Sequence, residues 1–332
     1  MHLSGTASSN ACFRSANRRN LMPLENSQLK PFSTRRFPLA GLLAAAAILF
    51  CLPDQASASA RLTIESGGIS RSAVVVVRER LKMRRRPLII VLHRSGGLGS
   101  RVRHGLGLEG AAQSNAPIFV YPEALNGGWP ANPGPEADRD LKFLRDLVDH
   151  YVNEGSVDPR KIFLVGVSSG GAFAYRAACA GIGRPVAGLA TLISAMPDDL
   201  ANCAPSAPLA YISVSGQADP LVPYAGGKTV FSETAFNSLS TEGALAVFAR
   251  INGCGARRED HPIADRDKND HSRAYILTYA GCKAPVEMIR VDGGGHRIPG
   301  HKSDPQIEPV GGENNDFDAS RTVWDFLKRN GA

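Results

Sequence analysis

A serine between glycines occupies a position in the chain that suits nucleophilic chemistry. The segment 166–171 reads GVSSGG and directly follows an apolar run at 162–165. A G-x-S-x-G sequence between a strand and a helix is typical of a sharp turn that exposes the serine hydroxyl, although the same letters also occur in ordinary glycine-rich loops. Side chains at Gly166 and Gly170 would collide in such a turn, and the following helix aims its first amide groups at the same point. The context therefore predicts Ser168 as a nucleophile.

A serine nucleophile of this kind needs an acid and a histidine, which follow it in the chain order Ser, Asp/Glu, His. Asp219 follows the apolar run 209–214 in the sequence GQADP, at the expected end of a strand. His296 follows another apolar run, 286–291, and three glycines. These positions predict Asp219 as the acid that orients the imidazole and His296 as the base. The alternatives are an ordinary Asp-Pro turn at Asp219 and His301 as the base.

The loop after an early strand should supply a backbone donor for an oxyanion. The apolar run 88–92 ends in His93, Arg94, Ser95 and two glycines, which places this loop after the second predicted strand. We therefore predict that the backbone N–H groups of Ser95 and Ser169 form the oxyanion hole. His93 is interpreted as a structural histidine that holds the loop through hydrogen bonds.

Apolar, β-branched runs alternate with helical patterns along residues 61–332. Seven runs are predicted to be strands, at 74–77, 88–92, 118–121, 162–165, 187–193, 209–214 and 286–291. Several of them lack polar alternation, as expected of strands that are buried on both faces. Apolar residues spaced three or four apart after Asp138 predict an amphipathic helix. The repetition predicts one α/β domain over 61–332, with a mostly parallel central sheet and helices on both faces.

Taken together, these segments resemble the secreted polyhydroxybutyrate depolymerase-like esterases of the α/β-hydrolase fold, which are relatives of feruloyl and acetyl xylan esterases. The resemblance covers roughly residues 61–330. It includes LH-x-x-GG at 92–97, YP-x-x-x-N-x-x-W at 121–129, VDPRKIFLVGVSSGG at 157–171, GQADPLVPYAGG at 216–227, the NGC and GC cysteines, GGGHRIPG at 293–300 and a final helix around Trp324. The resemblance implies the α/β-hydrolase fold and a triad of Ser168, Asp219 and His296.

Two residues depart from the pattern of that family. Arg94 stands where glycine usually follows the loop histidine, and Ile298 stands where tryptophan is usual, two residues after the catalytic histidine. We expect both positions to contact substrate, with Arg94 narrowing the entrance or adding a charge near the acyl site. Trp129 lies in a Gly/Pro-rich loop, where it would either stack on an aromatic or sugar substrate or cap the core.

The resemblance implies a serine esterase that acts through an acyl-enzyme and needs no metal or organic cofactor. Hydroxyalkanoate oligomers are the first expected substrates, and feruloyl or acetyl esters of plant walls are the alternative. Two other functions are considered. One is acyl transfer to an alcohol, and the other is a noncatalytic binding protein in which Arg94 obstructs the site.

Residues 1–60 have the pattern of a secretory signal peptide. An apolar run at 37–53 follows the Arg35–Arg36 pair and precedes an A-x-A cleavage pattern that ends near Ala60. The run has a proline near each end and is at or below the ~17–20 residues that span a bilayer, which disfavours a transmembrane anchor. We therefore expect a secreted or periplasmic protein. Either the general or the twin-arginine export route is possible, with a start at Met1 or Met22.

The composition and charge of the chain exclude several classes of protein. With 43% hydrophobic and 7% aromatic residues, the chain is neither disordered nor a coiled coil as a whole. Residues 1–60 hold six basic and two acidic side chains, which leaves +3 of the net charge of +7 for the rest. The basic stretch 78–86 lacks the aromatic residues of a nucleic-acid groove. We expect an ester substrate as the partner, with no nucleic acid and no membrane after signal cleavage.

Four cysteines remain beyond residue 60: Cys179, Cys203, Cys254 and Cys282. An even number in an exported protein suggests two disulfides, for which three pairings exist. Sequential pairing closes the shortest loops, so we predict Cys179 with Cys203 and Cys254 with Cys282. A four-cysteine zinc site would call for a C-x-x-C pair, and the sequence contains none.

Overall fold

The computed structural model describes residues 59–77, 85–112, 117–231, 234–301 and 310–332. Residues 1–58 of the predicted signal-peptide segment 1–60 and most of the basic stretch 78–86 lie outside these ranges, whereas Ser59 and Ala60 begin the first strand. The strands of the described ranges are β1 Ser59–Ser66, β2 Ile69–Val76, β3 Arg86–Leu92, β4 Ile118–Pro122, β5 Val157–Val167, β6 Gly188–Leu192, β7 Ala210–Gly216, β8 Gly227–Phe231, β9 Thr234–Ser238, β10 Arg258–Pro262, β11 Arg273–Tyr279 and β12 Val286–Asp292. All seven strands predicted from apolar runs are present.

The helices of the same ranges are α1 Gly99–Leu106, α2 Leu108–Ala111, α3 Pro135–Asn153, α4 Ser169–Ala180, α5 Thr241–Ile251 and α6 Ala319–Arg329. The amphipathic pattern after Asp138 belongs to α3, which begins with a proline and two acidic residues in its first turn. Both features favour a helix start, because proline has no N–H to leave unpaired and carboxylates interact well with the helix N-terminus. No helix in the part of the chain that is described is long and apolar enough to cross a membrane.

Within the described ranges, ten strands form one sheet in the order β1-β2-β4-β3-β5-β6-β7-β12-β11-β10. The six strands from β4 to β12 in this order are parallel neighbours, and antiparallel strands continue the sheet on either side. Because the strands are parallel in the centre, their carboxyl ends share one edge of the sheet. The loops that carry Ser95, Ser168, Asp219 and His296 follow β3, β5, β7 and β12, so all four loops emerge at that edge.

Each face of the sheet is covered by its own apolar core. One core contains side chains of α3, α4 and α5, among them Leu144, Phe173 and Phe248. The other contains side chains of α1, α2 and α6, such as Trp324. Strand β3 supplies both cores from alternate residues and is buried on both faces. The predicted α/β fold with a mostly parallel sheet between two helical layers is confirmed.

Both predicted disulfides are present. Cys179 of α4 is bonded to Cys203 in the loop after β6, and Cys254 after α5 is bonded to Cys282 between β11 and β12. A bond that closes a loop of this size typically stabilises the folded state by about 2–4 kcal/mol. The first disulfide also anchors the far end of the helix whose near end begins beside Ser168.

Candidate active site

Ser168 lies in the sharp turn between β5 and α4. Its backbone angles, φ 54° and ψ −123°, belong to a region that residues other than glycine rarely adopt. A Cβ at Gly166 would overlap the backbone of the turn itself, and one at Gly170 would overlap the carbonyl oxygens of Leu92 and His93 at the end of β3. The two glycines are therefore needed for the turn to close and to lie against the neighbouring strand.

Hydrogen bonds from the region of β6 hold this strained turn in place. The Ser168 N–H donates to the Leu192 carbonyl at 2.9 Å. The Ser194 hydroxyl donates to the Ser168 carbonyl at 2.7 Å, and Ser194 is 4% exposed. Because buried hydrogen bonds are costly to leave unmade, these two bonds fix the backbone of the proposed nucleophile. Sequence reasoning missed Ser194, since no local motif marks it.

The structure brings the three predicted triad residues together. His296 Nε2 lies 3.1 Å from Ser168 Oγ, and His296 Nδ1 lies 2.7 Å from Asp219 Oδ2. The other carboxylate oxygen of Asp219 accepts hydrogen bonds from the N–H groups of Leu221 and Val222, each at 2.8 Å. Two amides thus fix the carboxylate, and the carboxylate fixes the imidazole. The arrangement can move a proton from the serine hydroxyl to Nε2.

The loop of His296 is joined directly to the loop of Asp219. The Ala218 N–H donates to the Gly294 carbonyl at 2.9 Å, and the His296 N–H donates to the Val310 carbonyl at 2.7 Å. Gly293 has a φ of 78°, which glycine adopts without strain. The three glycines therefore form an ordered turn between the acid loop and residue 310, and this turn carries the imidazole to Ser168.

The rival histidine, His301, is engaged elsewhere. Its Nδ1 lies 2.9 Å from the Gly105 carbonyl at the end of α1, and its Nε2 lies 2.9 Å from the Ser320 hydroxyl at the start of α6. These contacts connect two helices on one face of the sheet. Of the two candidate histidines, only His296 contacts Ser168.

Ser95 and Ser169 meet at the amino end of α4. The Ser95 hydroxyl donates to the Ser169 hydroxyl oxygen at 2.9 Å. Within the described ranges, neither the Ser95 nor the Ser169 backbone N–H donates to another protein group. An oxyanion hole uses backbone N–H groups that are free to donate, and this role for Ser95 and Ser169 stays a prediction.

The sequence comparisons agree with this geometry. No protein-family model matches the chain. The chain is 31% identical over 259 residues to "Putative esterase NocK" of Nocardia uniformis subsp. tsuyamanensis, covering 73% of this chain and 74% of that protein. It is 30% identical over 221 residues to feruloyl esterase C of Emericella nidulans, covering 64% of this chain and 71% of that protein. The chain belongs to the feruloyl esterase-like family of α/β-hydrolases. It is a carboxylic ester hydrolase.

A solved structure supports the fold of this esterase. The structure of Thermogutta terrifontis esterase 2 phosphorylated by paraoxon matches it with a TM-score of 0.54 at 13% identity, covering 82% of this chain and 94% of that one. At this identity, the match shows the α/β-hydrolase fold alone.

In this esterase Trp129 packs against the core. The residue is 2% exposed, and its ring stacks on Phe173 of α4 with centroids 5.4 Å apart. The ring also contacts His93, with centroids 5.5 Å apart. Because the loop folds back onto α4, the indole has no open face for a substrate. The structure therefore favours the core-capping role over the substrate-stacking role that the sequence also allowed.

The two departures from the family pattern lie near the site. The carbonyl of Arg94 accepts hydrogen bonds from the Gly97 N–H at 2.9 Å and from His93 Nδ1 at 2.8 Å, and Arg94 is partly buried. Ile298, two residues after His296, is partly buried and packs against the core on the α6 face. Ile298 therefore has a packing role in the structure, and substrate contact at either residue stays a prediction.

A hairpin that sequence reasoning missed packs against the imidazole of this esterase. Strands β8 and β9 form a separate two-stranded sheet after the Asp219 loop. Its Phe231 ring lies 6.4 Å from the His296 ring and 5.6 Å from the Phe236 ring, centroid to centroid. The two phenylalanines form a small apolar cluster with four other buried residues, Ala131, Ala172, Ala195 and Val222. The sequence of β8 gave no usable signal, because its buried residue Thr229 is polar and its exposed residue Val230 is apolar.

His93 holds the loop after β3 through hydrogen bonds, as the sequence predicted. Its Nδ1–H donates to the Arg94 carbonyl at 2.8 Å, and its Nε2 accepts from the Ala124 N–H at 3.1 Å. Only the neutral imidazole, with its proton on Nδ1, can make both bonds. Burial lowers the pKa of His93, although Glu123 nearby opposes the shift.

The lowered pKa of His93 predicts a loss of stability in mild acid. Above the unfolded pKa of about 6.5, both states are neutral and the full stability is present. As the pH falls below that value, the unfolded chain binds a proton that the folded chain does not. We expect this group to lower the free energy of unfolding by up to about 1.4 kcal/mol per pH unit until the folded pKa is reached. Urea unfolding of the wild type and of His93→Gln between pH 7.5 and 5.5 measures the difference, and parallel curves would contradict it.

Proposed function

We propose that this esterase hydrolyses carboxylic esters through an acyl-enzyme on Ser168. The observation that supports this most is the hydrogen-bonded chain from Asp219 through His296 to Ser168, with distances of 2.7 and 3.1 Å. The strained turn that presents Ser168 gives the same support, because backbone strain concentrates at functional sites. A noncatalytic binding protein would have no use for either feature.

In the first half of the reaction, Ser168 Oγ attacks the ester carbonyl carbon while its proton moves to His296 Nε2. The carbonyl oxygen becomes an oxyanion, and the amides of Ser95 and Ser169 stabilise its charge. Asp219 stabilises the imidazolium without taking its proton. Nε2 then donates that proton to the leaving alcohol, so that the alcohol departs neutral and the acyl group stays on Ser168.

In the second half, a water molecule takes the place of the alcohol. His296 Nε2 accepts a proton from the water as its oxygen attacks the acyl carbon, and the oxyanion forms between the same two amides. Collapse of this intermediate breaks the bond to Ser168 Oγ, which recovers its proton from Nε2. Acid is released, and the triad returns to its starting state.

Hydroxycinnamoyl esters of plant walls are the substrate class that the relatives favour, because one relative at 30% identity is named feruloyl esterase C. Hydroxyalkanoate oligomers are the second class. The motif resemblance at 92–97, 216–227 and 293–300 supports them.

A panel of esters distinguishes the two classes. We expect kcat/KM for methyl ferulate to exceed that for hydroxybutyrate dimer and trimer by at least about tenfold, since a built acyl pocket discriminates by 1–3 kcal/mol. Release of ferulate and of hydroxybutyrate is measured by chromatography, with p-nitrophenyl acetate as the common reference. The opposite ranking would assign the enzyme to hydroxyalkanoate esters, and turnover of none of the three would overturn the esterase proposal.

We further propose that the enzyme is secreted or periplasmic. Two disulfides support this location, because such bonds persist in oxidising compartments. The signal-peptide pattern of residues 1–60 supports it as well. Amino-terminal sequencing of the exported protein is expected to give a start near residue 61, and an intact amino terminus on the exported protein would contradict cleavage.

A further inference from the structure

The side chains of Ser95 and Ser169 make a contact that the reaction above does not use. The Ser95 hydroxyl donates to Ser169 Oγ at 2.9 Å across 74 residues of sequence, and Ser169 is 1% exposed. These are the two residues whose backbone amides are proposed to bind the oxyanion. One hydrogen bond therefore joins the two halves of the oxyanion hole, which the chain builds from separate elements.

The Ser169 side of this contact is fixed. Ser169 is the first residue of α4 and directly follows Ser168, whose backbone is bonded to Leu192 and Ser194. The sharp turn between β5 and α4, here called the elbow, also lies directly against the end of β3, since a Cβ at Gly170 would overlap the carbonyl oxygens there. The contacts that fix the elbow therefore also fix the position of the Ser169 amide.

The Ser95 side is built from more adaptable backbone. Two glycines follow Ser95, and Gly96 has a φ of 64°. The backbone bonds of the loop run to Gly127 and within the loop to Arg94, at 2.9 Å each, so they hold the loop to another loop and to itself. Glycine backbones are conformationally permissive. The Ser95 hydroxyl joins this loop directly to Ser169 at the start of α4.

We propose that the hydroxyls of Ser95 and Ser169 form a clamp that sets the spacing of the two oxyanion amides, so that both side chains are positioning residues. The inference rests on the proposed function. Oxyanion donors act at about 2.7–3.1 Å from the charged oxygen, so a small displacement of one amide weakens binding of the transition state. The carbonyl oxygen of the bound ester carries less charge than the oxyanion, so the same displacement weakens substrate binding less. Removal of the clamp therefore lowers kcat and leaves KM nearly unchanged.

Ser95→Thr and Ser95→Val test the clamp with two side chains of the same shape. Threonine keeps the hydroxyl and valine replaces it with a methyl group. With p-nitrophenyl acetate we expect Ser95→Thr to stay within about twofold of wild-type kcat, and Ser95→Val to lose about 3- to 10-fold, the loss typical of one hydrogen bond. A packing role for Ser95 would affect both variants equally.

Ser169→Ala provides a second route if either variant at Ser95 folds poorly, because alanine is favourable in a helix. It removes the acceptor of the same bond, and we expect the same loss of kcat. In the double variant Ser95→Val with Ser169→Ala, the loss should not exceed that of the larger single change. The inhibition constant of a trifluoromethyl ketone, which forms an oxyanion on the serine, should rise by the same factor as kcat/KM falls.

Equal kcat for Ser95→Thr and Ser95→Val, or additive losses in the double variant, would overturn the clamp while the esterase proposal stands. Loss confined to KM would overturn it too. If the wild-type protein shows no turnover of any ester, the proposed function fails first and the clamp fails with it.

Discussion

Replacing Ser168 with alanine is expected to lower kcat by about 10⁴- to 10⁶-fold, since removal of a triad nucleophile leaves only the catalysis of the oxyanion hole and of binding. KM should change by no more than a few fold, because the hydroxyl contributes little to ground-state binding. The measurement is hydrolysis of p-nitrophenyl acetate by the wild type and by the variant at equal concentration. The fold should be retained, since the two backbone bonds of Ser168 do not involve its side chain.

Two controls make the result specific to Ser168. Ser66→Ala changes another buried serine, which lies on β1 at 2% exposure and makes no hydrogen bond through its hydroxyl within the described ranges. Its activity should equal that of the wild type. Paraoxon should add one diethyl phosphate to the wild type and none to Ser168→Ala, as measured by intact mass. Residual turnover above about 1% of wild type with Ser168→Ala would show that another residue is the nucleophile.

The fold could be predicted where the sequence pattern reflects burial on both faces. The runs at 88–92 and 162–165 are fully buried strands in the structure, and their continuous apolar character indicated this directly. Strand β10 reads REDHP and is largely exposed at the edge of the sheet, so burial gives it no apolar pattern. Strands β8 and β9 are five residues each, which is too short for a reliable alternation. Strands β8 and β9 pair with each other, and β10 pairs with β11, so backbone pairing holds these strands without a fully buried apolar run.

The three candidate triad residues could also be predicted from the sequence, because each of them follows a strand with a recognisable apolar run. Ser168, Asp219 and His296 each follow a strand of the parallel sheet, so locating the strands located the residues. Ser194 supports the backbone of Ser168 because β6 lies beside β5, and no local spacing in the sequence indicates that neighbour. The same limit explains Trp129, because the direction in which a Gly/Pro-rich loop folds depends on the helix that it meets.

Asp219→Asn is expected to lower kcat by about 10⁴-fold, because it reverses the hydrogen bonding of His296. In the structure, Oδ1 accepts from two backbone amides and Oδ2 faces Nδ1. An asparagine must give its oxygen to the two amides, since an NH₂ group cannot accept their hydrogens. Its NH₂ then points at Nδ1 and favours the tautomer that carries the proton on Nε2. That tautomer cannot accept the proton of Ser168.

This expectation is specific because the substitution hardly changes the shape of the side chain and leaves its hydrogen bonds from the two backbone amides in place. Asp158→Asn is the matched control. Asp158 is a carboxylate near the start of β5 that also accepts a backbone amide, from Arg160, and lies away from the carboxyl edge of the sheet. We expect it to retain wild-type kcat. If Asp219→Asn lost less than about tenfold, another acid would have to orient His296. If instead kcat falls about 10⁴-fold and paraoxon phosphorylates Ser168 more slowly than in the wild type, the aspartate controls the proton acceptor and not the binding of substrate.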